Sequence, residues 1–536
     1  MVGCEFRYYW RQIVNSQIQQ LSNSARRAVQ ARDWAYVTAC AREILNRQRT
    51  SAEGRFLLGL AEKGSDRIEK AIKAFSTAIK LDESRYDAAV ELADQYMHLN
   101  RYGEAVELLE PYEPLLANSP LYLDRAATVY INVGMPEKAW PLLEKANELQ
   151  PGVESLRAHL AECAVFVGKI DEAKAIYTEL LEKHPNHQHN HYELSRAARA
   201  TNATHVEQMK EVLDRTRLPP ERNIYLYYAL GKELEDLEQW DEAFEYYKMG
   251  GDAARSQADY DVQNDVALFD KVIEVCDTEW LDREAPVESG ETEKTPIFIA
   301  GLPRSGTTLT ERILASHSEV ESAGESFFMQ TMIKAVSGIH TRDKMNPAVI
   351  AAAAKKDIRR IASGYLEAID YRLSDKPMFI EKFPENSLFL GFIAKAFPGG
   401  KIILQKRNPM DTCFAMYKQS FFRFAYSLDD LGLYYMAYDR LVRHWRELFG
   451  ERLIEVEYES MVSDHENETR RLLEQLGLEF EEACLHFEKN VAASNTASTV
   501  QVREKAHTRS VRRWKRYEKQ LQSLRQQLEN AGIDVA

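Results

Sequence analysis

A repeat of 34 residues runs through the first half of this 536-residue chain and restricts its fold more than any other feature. A small residue recurs at that interval, at Ala71, Ala105, Ala139 and Ala173. Two further sets keep the same step, the turn positions Asn100, Gly134 and Gly168 and the prolines Pro151 and Pro185. A later copy around Ala243 lies 70 residues beyond Ala173, so a diverged unit lies between them. Such a period predicts stacked helix pairs that cross closely at the small residues.

A glycine-bounded loop follows the predicted strand 297–300, near the start of the C-terminal half of the chain. Its spacing, Gly301-x-x-x-x-Gly306, is that of a loop whose backbone N–H groups and following helix N-terminus hold phosphate oxygens. The lysine that usually follows the second glycine is replaced by Thr307, and Arg304 lies inside the loop. The loop therefore predicts binding of a phosphate-like group on a nucleotide, but it is poorly equipped for hydrolysis of ATP or GTP.

Short β-type runs alternate with helical patterns in the C-terminal half. The predicted strands are 297–300, 378–381, 401–405 and 453–456, and the predicted helical stretches include 347–373 and 428–449. This alternation favours a parallel sheet covered by helices, with ligands at the carboxyl ends of the strands. The composition changes near residue 258. We therefore predict a helical repeat solenoid over 1–258 and an α/β nucleotide-binding domain over 259–536.

Charge and cysteine usage limit the possible partners and compartments. The net charge is −14, which argues against a protein built to coat nucleic acid or an acidic membrane. The 6 cysteines are scattered without a C-x-x-C pair, as expected for reduced thiols in the cytoplasm. The first residues lack a signal-peptide pattern, and no stretch approaches the roughly 20 apolar residues of a membrane span. We therefore expect a cytoplasmic protein.

Several segments of the C-terminal half resemble those of sulfotransferases. The run Pro303–Thr308 resembles their 5′-phosphosulfate loop, and Arg407-x-Pro409-x-Asp411 after a strand resembles their 3′-phosphate segment. Ala415 stands where that family usually has serine. Four further segments match, at Ser322–Glu325, Glu381–Asn386, Val456–Val462 and Thr496–Val502. With its 34-residue repeats, the chain resembles bacterial tetratricopeptide-repeat sulfotransferases, whose catalytic domain is similar to that of tyrosylprotein sulfotransferases.

The resemblance implies a donor, 3′-phosphoadenosine 5′-phosphosulfate (PAPS), and roles for particular residues, with no metal required. Glu325 would be the general base, and Arg304, Lys382 and Ser498 would stabilise the transferring group. The implied donor-binding residues are Arg304, Ser305, Gly306, Thr307, Thr308, Arg407, Tyr458, Ser498, Arg503 and Lys505. The last two belong to a basic stretch, 501–519, which we interpret as a lid over the nucleotide phosphates rather than a nucleic-acid patch.

Two other functions stay open at this point. One is a small-molecule kinase with a phosphate-binding loop, and the other is a non-catalytic repeat scaffold with a degenerate nucleotide domain. The acceptor is also open between a peptide or protein held by the repeats, a glycan and a small metabolite. Four histidines within 184–191 suggest a metal site, but their place at a repeat junction favours turn and cap roles.

Overall fold

The structure is a computed structural model that describes residues 2–283, 294–341, 345–490, 492–493 and 503–536, with backbone alone over 2–14. The chain divides into two compact units, residues 1–156 and residues 157–536. In the part described, every helix is too short or too polar to cross a bilayer. The domain boundary predicted near residue 258, where the composition changes, stays a prediction.

Helix pairs fill the repeat region, as predicted. The helices of the first unit are α1 (Val2–Gln30), α2 (Trp34–Arg47), α3 (Ala52–Gly64), α4 (Ile68–Leu81), α5 (Tyr86–His98), α6 (Tyr102–Leu109), α7 (Pro120–Asn132) and α8 (Pro136–Leu149). The next is α9 (Glu154–Val167), which contains the division between the units. The second unit continues with α10 (Ile170–Lys183), α11 (Gln188–Ala197), α12 (Thr204–Thr216), α13 (Ile224–Asp236) and α14 (Trp240–Gln257).

The turn inside each repeat explains its 34-residue register. Residues with left-handed φ recur at Arg32, Asp66, Asn100, Gly134 and Gly168, each 34 positions after the last. The residue at this position must turn the chain from the first helix of the pair into the second, which glycine and asparagine do at least cost. Arg32 and Asp66 occupy the same position without that advantage, so sequence alone did not reveal it there. The predicted small residues are confirmed, since Ala71, Ala105, Ala139 and Ala173 are fully buried.

A five-stranded parallel sheet forms the centre of the C-terminal part. Its strands are β1 (Thr295–Gly301), β2 (Val320–Ser322), β3 (Met378–Lys382), β4 (Lys401–Lys406) and β5 (Leu453–Glu457), in the order β2-β3-β1-β4-β5. The register pairs Ile299 with Lys382 and Gly301 with Gln405, so the carboxyl ends of β1, β3 and β4 meet at one edge. The four strands predicted from sequence are confirmed.

Helices cover both faces of this sheet. The helices of this part of the chain are α15 (Val262–Val275), α16 (Thr278–Asp282), α17 (Thr307–Ala315), α18 (Phe328–Ser337), α19 (Pro347–Ala353), α20 (Arg359–Ile369), α21 (Leu390–Ala396), α22 (Pro409–Tyr417), α23 (Leu428–Phe449), α24 (Tyr458–Ser463), α25 (His465–Leu476) and α26 (Gln522–Asn530). On one face, Ile299 and Ile403 pack with Leu314 and Leu472 from the helices. On the other, Phe298 packs against Tyr365 and Phe397.

Two helical predictions in this part have different outcomes. The pattern 428–449 is one helix, α23, as predicted. The pattern 347–373 is not continuous, because α19 ends at Ala353 and α20 begins at Arg359. Asp357 accepts a hydrogen bond from the backbone N–H of Arg359 at 3.0 Å. An aspartate that binds the backbone two residues on favours a helix start over a helix interior.

Candidate functional site

The loop between β1 and α17 has the backbone geometry of an anion-binding turn. Arg304 and Gly306 both have left-handed φ, 67° and 109°. The Ser305 hydroxyl donates to the carbonyl of Leu302 at 2.7 Å, which closes the turn. A side chain at position 306 would meet the Tyr458 ring, whose Cδ2 lies 2.6 Å from an added Cβ. Glycine is therefore required there by both its φ angle and the close approach of Tyr458.

Buried polar groups attach this loop to the neighbouring strands. The Thr310 hydroxyl, on α17, donates to the side-chain oxygen of Gln405 at 2.5 Å. The amide of Gln405 donates to the carbonyl of Val456 at 3.1 Å. Thr307 and Thr308 are buried at the first turn of α17, where free backbone N–H groups and the helix dipole favour an anion. The loop, β4 and β5 are thus held in one arrangement before any ligand arrives.

Arg407 lies against the same loop. Its Nη1 donates to the carbonyl of Arg304 at 2.8 Å, its Nη2 donates to the carbonyl of Ser510 at 2.8 Å, and its guanidinium carbon lies 4.8 Å from the centre of the Tyr458 ring. Among the described residues, the buried Nε of Arg407 has no hydrogen-bond partner. An unused buried donor next to a cationic loop is consistent with a phosphate ligand.

Positive charge accumulates at this edge of the sheet. Burial, together with the nearby charges of Arg407 and Arg196, lowers the pKa of Arg304 to about 10. Arg196 belongs to α11, so a repeat helix contributes to the charge around the loop. A pKa near 10 leaves Arg304 protonated at neutral pH. The group of guanidinium charges therefore favours an anionic ligand.

Lys382 and Glu325 form an ion pair at the end of β3, next to the loop strand. Lys382 is fully buried and binds the Glu325 carboxylate directly, while Glu311 of α17 lies 3.5 Å from its Nζ. Burial opposes the charged ammonium, but the two carboxylates outweigh it and raise the pKa of Lys382. Lys382 is therefore a cation at neutral pH. The side chain of Glu325 is 34% exposed, which leaves it open to a second molecule.

The region around Glu325 is fixed by neighbours for which the sequence predicted no role, although Glu381 and Asn386 are the ends of a matched segment. Nη1 of Arg372 donates to the carbonyls of Ala323 and Glu325 at 2.5 and 2.9 Å. The Ser326 hydroxyl donates to Glu381, a fully buried carboxyl that also accepts from Asn386 at 2.9 Å. Burial raises the pKa of Glu381 to about 7, although these hydrogen bonds lower it. The signal for Glu381 and Asn386 in the sequence was the matched segment that they delimit.

His317, a second titratable residue near Glu325 in the sequence, has a packing role. It is 2% exposed, its Nε2 pairs with the carbonyl of Glu479 at 2.9 Å, and its Nδ1 accepts from the N–H of Glu319 at 3.1 Å. Both ring nitrogens are therefore occupied by the backbone. Of the two side chains, Glu325 is the more open to a second molecule, at 34% exposed.

Three predicted donor-binding residues, Ser498, Arg503 and Lys505, stay predictions. Ser498 lies outside the described residues. Arg503 donates to the carbonyl of Phe166 at 3.2 Å, on the repeat helix α9, and Lys505 is exposed. A different part of the same basic stretch reaches the site. The Asp411 carboxylate accepts from the backbone N–H groups of Arg512 and Trp514, at 2.6 and 2.9 Å.

The histidines near residue 187 take part in the repeat structure. His187 caps α11 by accepting from the N–H of Asn190, and His191 lies between His205 and the carbonyl of Pro185, at 2.8 Å from each. Within the described ranges, no group of three or more potential metal ligands is present.

Comparison with known proteins supports both halves of this description. Residues 296–482 match the model of the sulfotransferase family, and residues 56–120 and 132–202 match models of tetratricopeptide repeats. An uncharacterized protein of Aquifex aeolicus (strain VF5) is 30% identical over 429 residues, which are 78% of this chain and 55% of that protein. This chain thus spans about half the length of that relative. The resemblance to tetratricopeptide-repeat sulfotransferases is confirmed, as is the fold class.

Two further matches are to proteins described as sulfotransferases. A putative protein-tyrosine sulfotransferase of Caenorhabditis briggsae is 25% identical over 228 residues, which are 41% of this chain and 80% of that protein. Among solved structures, the sulfotransferase domain of the Synechococcus PCC 7002 olefin synthase aligns with 18% identity and a TM-score of 0.33, over 47% of this chain and 98% of that domain.

Proposed function

We propose that this chain transfers a sulfuryl group from PAPS to an acceptor hydroxyl. The observation that carries the proposal is the arrangement at one sheet edge. The loop with Arg304 follows β1, Arg407 follows β4, and the Lys382–Glu325 pair lies at the end of β3, which pairs with β1. One side of this edge suits two phosphate groups, and the other side offers a cation and a carboxylate for the chemistry.

The residues present fit a nucleotide with phosphate groups at the 5′ and 3′ positions of its ribose. The left-handed loop and the first turn of α17 offer backbone N–H groups for the 5′ phosphosulfate. Arg407, with its unused Nε, is suited to the 3′-phosphate. Tyr458 supports both by packing on Gly306 and under Arg407.

In the proposed reaction, the acceptor oxygen forms a bond to sulfur while the bond from sulfur to the 5′-phosphate oxygen breaks. Glu325 accepts the acceptor's proton, and adenosine 3′,5′-bisphosphate leaves. Protonation of Glu325 removes one of the two counter-ions of Lys382. Glu311 remains 3.5 Å from Nζ, so Lys382 keeps its place and donates to the charge that develops on the departing group.

The acceptor class is the finer part of the proposal. Tetratricopeptide repeats are a common scaffold for binding peptide segments. We propose a hydroxyl on a peptide or protein, such as tyrosine, as the first class to test, and a glycan as the second. Cytoplasmic localisation stays a prediction.

Ligand-dependent thermal stability separates this function from its rivals. We expect adenosine 3′,5′-bisphosphate to raise the melting temperature and ATP with Mg²⁺ to have little effect. Stabilisation by ATP–Mg²⁺ alone would favour a kinase. Binding of the bisphosphate without its release from PAPS, in the presence of peptide and glycan acceptors, would favour the non-catalytic scaffold.

A further inference from the structure

A buried carboxylate on a repeat helix is bound by two cations from the C-terminal part of the same unit. Glu235, near the end of α13, is 4% exposed. Its carboxylate accepts from Lys418 Nζ at 2.8 and 3.0 Å and from Arg513 Nε at 2.5 Å. The Tyr247 hydroxyl also donates to it, at 3.1 Å. Burial opposes ionisation, yet Lys418 and Arg513 lower the pKa of Glu235 to about 2, so the carboxylate is charged at neutral pH.

Both cations belong to elements that hold the proposed 3′-phosphate site. Lys418 caps the C-terminus of α22, the helix that follows Arg407 and contains Asp411. Arg513 lies within residues 510–514, which we call the strap. The strap accepts a hydrogen bond from Arg407 at the carbonyl of Ser510, and its two N–H donors bind Asp411. Glu235 therefore binds the strap through the side chain of Arg513, and Arg407 and Asp411 bind it through its backbone atoms.

Aromatic packing joins α14 to α22, the helix that Lys418 caps. Phe244 of α14 stacks on Phe414 and Tyr417 of α22, with ring centres 6.4 and 6.0 Å apart. Tyr517, just beyond the strap, lies 4.3 Å from the Phe414 ring and 5.8 Å from Trp240. A buried Glu235 carboxylate without Lys418 and Arg513 would be costly, because an isolated buried charge is strongly unfavourable. These contacts make a single arrangement of α13, α22 and the strap strongly preferred.

We propose that Glu235 is a positioning residue of the donor site. By holding Arg513 and Lys418, it fixes the strap and thereby the direction of the Arg407 guanidinium toward the 3′-phosphate. The repeat formed by α13 and α14 is then part of the nucleotide site, in addition to any role in acceptor binding. The inference rests on the proposed function, because it needs a ligand with a 3′-phosphate.

The test compares two nucleotides that differ in that phosphate. Calorimetry with the full chain measures the affinity of adenosine 3′,5′-bisphosphate and of 5′-AMP for wild type, Glu235→Gln and Glu233→Gln. Glu233 is the matched control, since it is buried on the same helix and accepts from His205 at 2.6 Å within the repeats. For Glu235→Gln we expect bisphosphate affinity to fall about tenfold and 5′-AMP affinity to change less than about twofold, within the usual range of such couplings. Glu233→Gln is expected to leave the ratio of the two affinities unchanged.

Three results would overturn the inference. Glu235→Gln with a wild-type ratio of affinities would show that Glu235 does not act on the 3′-phosphate. An equal loss in Glu233→Gln would show a general effect of destabilising α13. Equal affinity of the wild-type protein for the two nucleotides would refute the proposed function itself. This is a separate outcome of the same experiment.

A second variant covers the case in which Glu235→Gln fails to fold. Arg513 is 29% exposed on its side chain, so Arg513→Gln leaves less uncompensated charge inside the protein. We expect the same selective loss of bisphosphate affinity, and a wild-type ratio would again refute the proposal. The double variant is expected to lose no more than the single variants do, because both changes break one connection.

Discussion

Replacing Glu325 with glutamine removes a proton acceptor from the site while keeping its size. A general base typically contributes about 10²–10⁴-fold to turnover, which corresponds to a barrier increase of about 2.7–5.5 kcal/mol when it is lost. The cost to folding is smaller. Glu325 is 34% exposed, and Lys382 retains Glu311 at 3.5 Å. Because Lys382 is fully buried but keeps one carboxylate partner, we expect the loss of this pair to cost about 1.5–3 kcal/mol.

Two measurements on Glu325→Gln separate these effects. Release of adenosine 3′,5′-bisphosphate from PAPS, at saturating acceptor, is expected to fall by about 10²–10⁴-fold. Calorimetric affinity for the bisphosphate is expected to stay within about twofold of wild type, because Glu325 contacts Lys382 and not the loop.

His317→Ala is the control, since both nitrogens of that ring bind the backbone. It is expected to lower stability through lost packing and to leave turnover nearly unchanged. Near-native turnover in Glu325→Gln, or an equal loss in His317→Ala, would refute the assignment of Glu325 as the base.

Three further predictions follow from the site. Arg407→Lys keeps the charge but loses the planar fork, so we expect bisphosphate affinity to fall about tenfold with 5′-AMP affinity little changed, as measured by calorimetry. Glu381 has its pKa raised to about 7 by burial, so its contribution to stability is complete below its ordinary value of 4.5 and is lost as the pH rises through 7. Urea unfolding of Glu381→Gln, which stays neutral, is therefore expected to show a stability advantage over wild type that grows between pH 5 and 8; a constant difference would contradict this. A fragment of residues 157–536 is expected to bind the bisphosphate, whereas 259–536 lacks Glu235 and the aromatic contacts of α14 and is expected to bind it weakly or to be insoluble.

The fold was predictable where the chain repeats or alternates. The period of 34 places Ala71 and its equivalents in fully buried crossings, and it identifies the turn positions Asn100, Gly134 and Gly168, whose φ is left-handed. Strand predictions held because buried parallel strands are continuous apolar runs bounded by turn residues. Both signals are local, which is why one sequence was enough to find them.

The side-chain pairs of the site were not predictable in the same way. Glu235 and Lys418 are separated by 183 residues, and Glu325 and Lys382 by 57. Glutamate, lysine and arginine on helices are mostly solvated, so nothing local distinguishes Glu235 from the exposed carboxylates around it. Arg503 shows the same limit, because its hydrogen bond to the carbonyl of Phe166, 337 residues away, has no local signal in the sequence.

Charge around the phosphate loop connects the proposed donor site with the repeat helices. Burial, Arg407 and the repeat residue Arg196 each make the protonated form of Arg304 less favourable, yet its pKa of about 10 leaves it charged at neutral pH. The protein therefore keeps like charges close together at the carboxyl edge of its sheet, at a cost that an anionic ligand relieves on binding. Because Arg196 belongs to α11 and Glu235 to α13, the repeats both add to this charge and hold the strap that positions Arg407. A donor with phosphates at two positions satisfies more of these cations than one with a single phosphate, which is the physical basis for expecting selectivity for the 3′-phosphate.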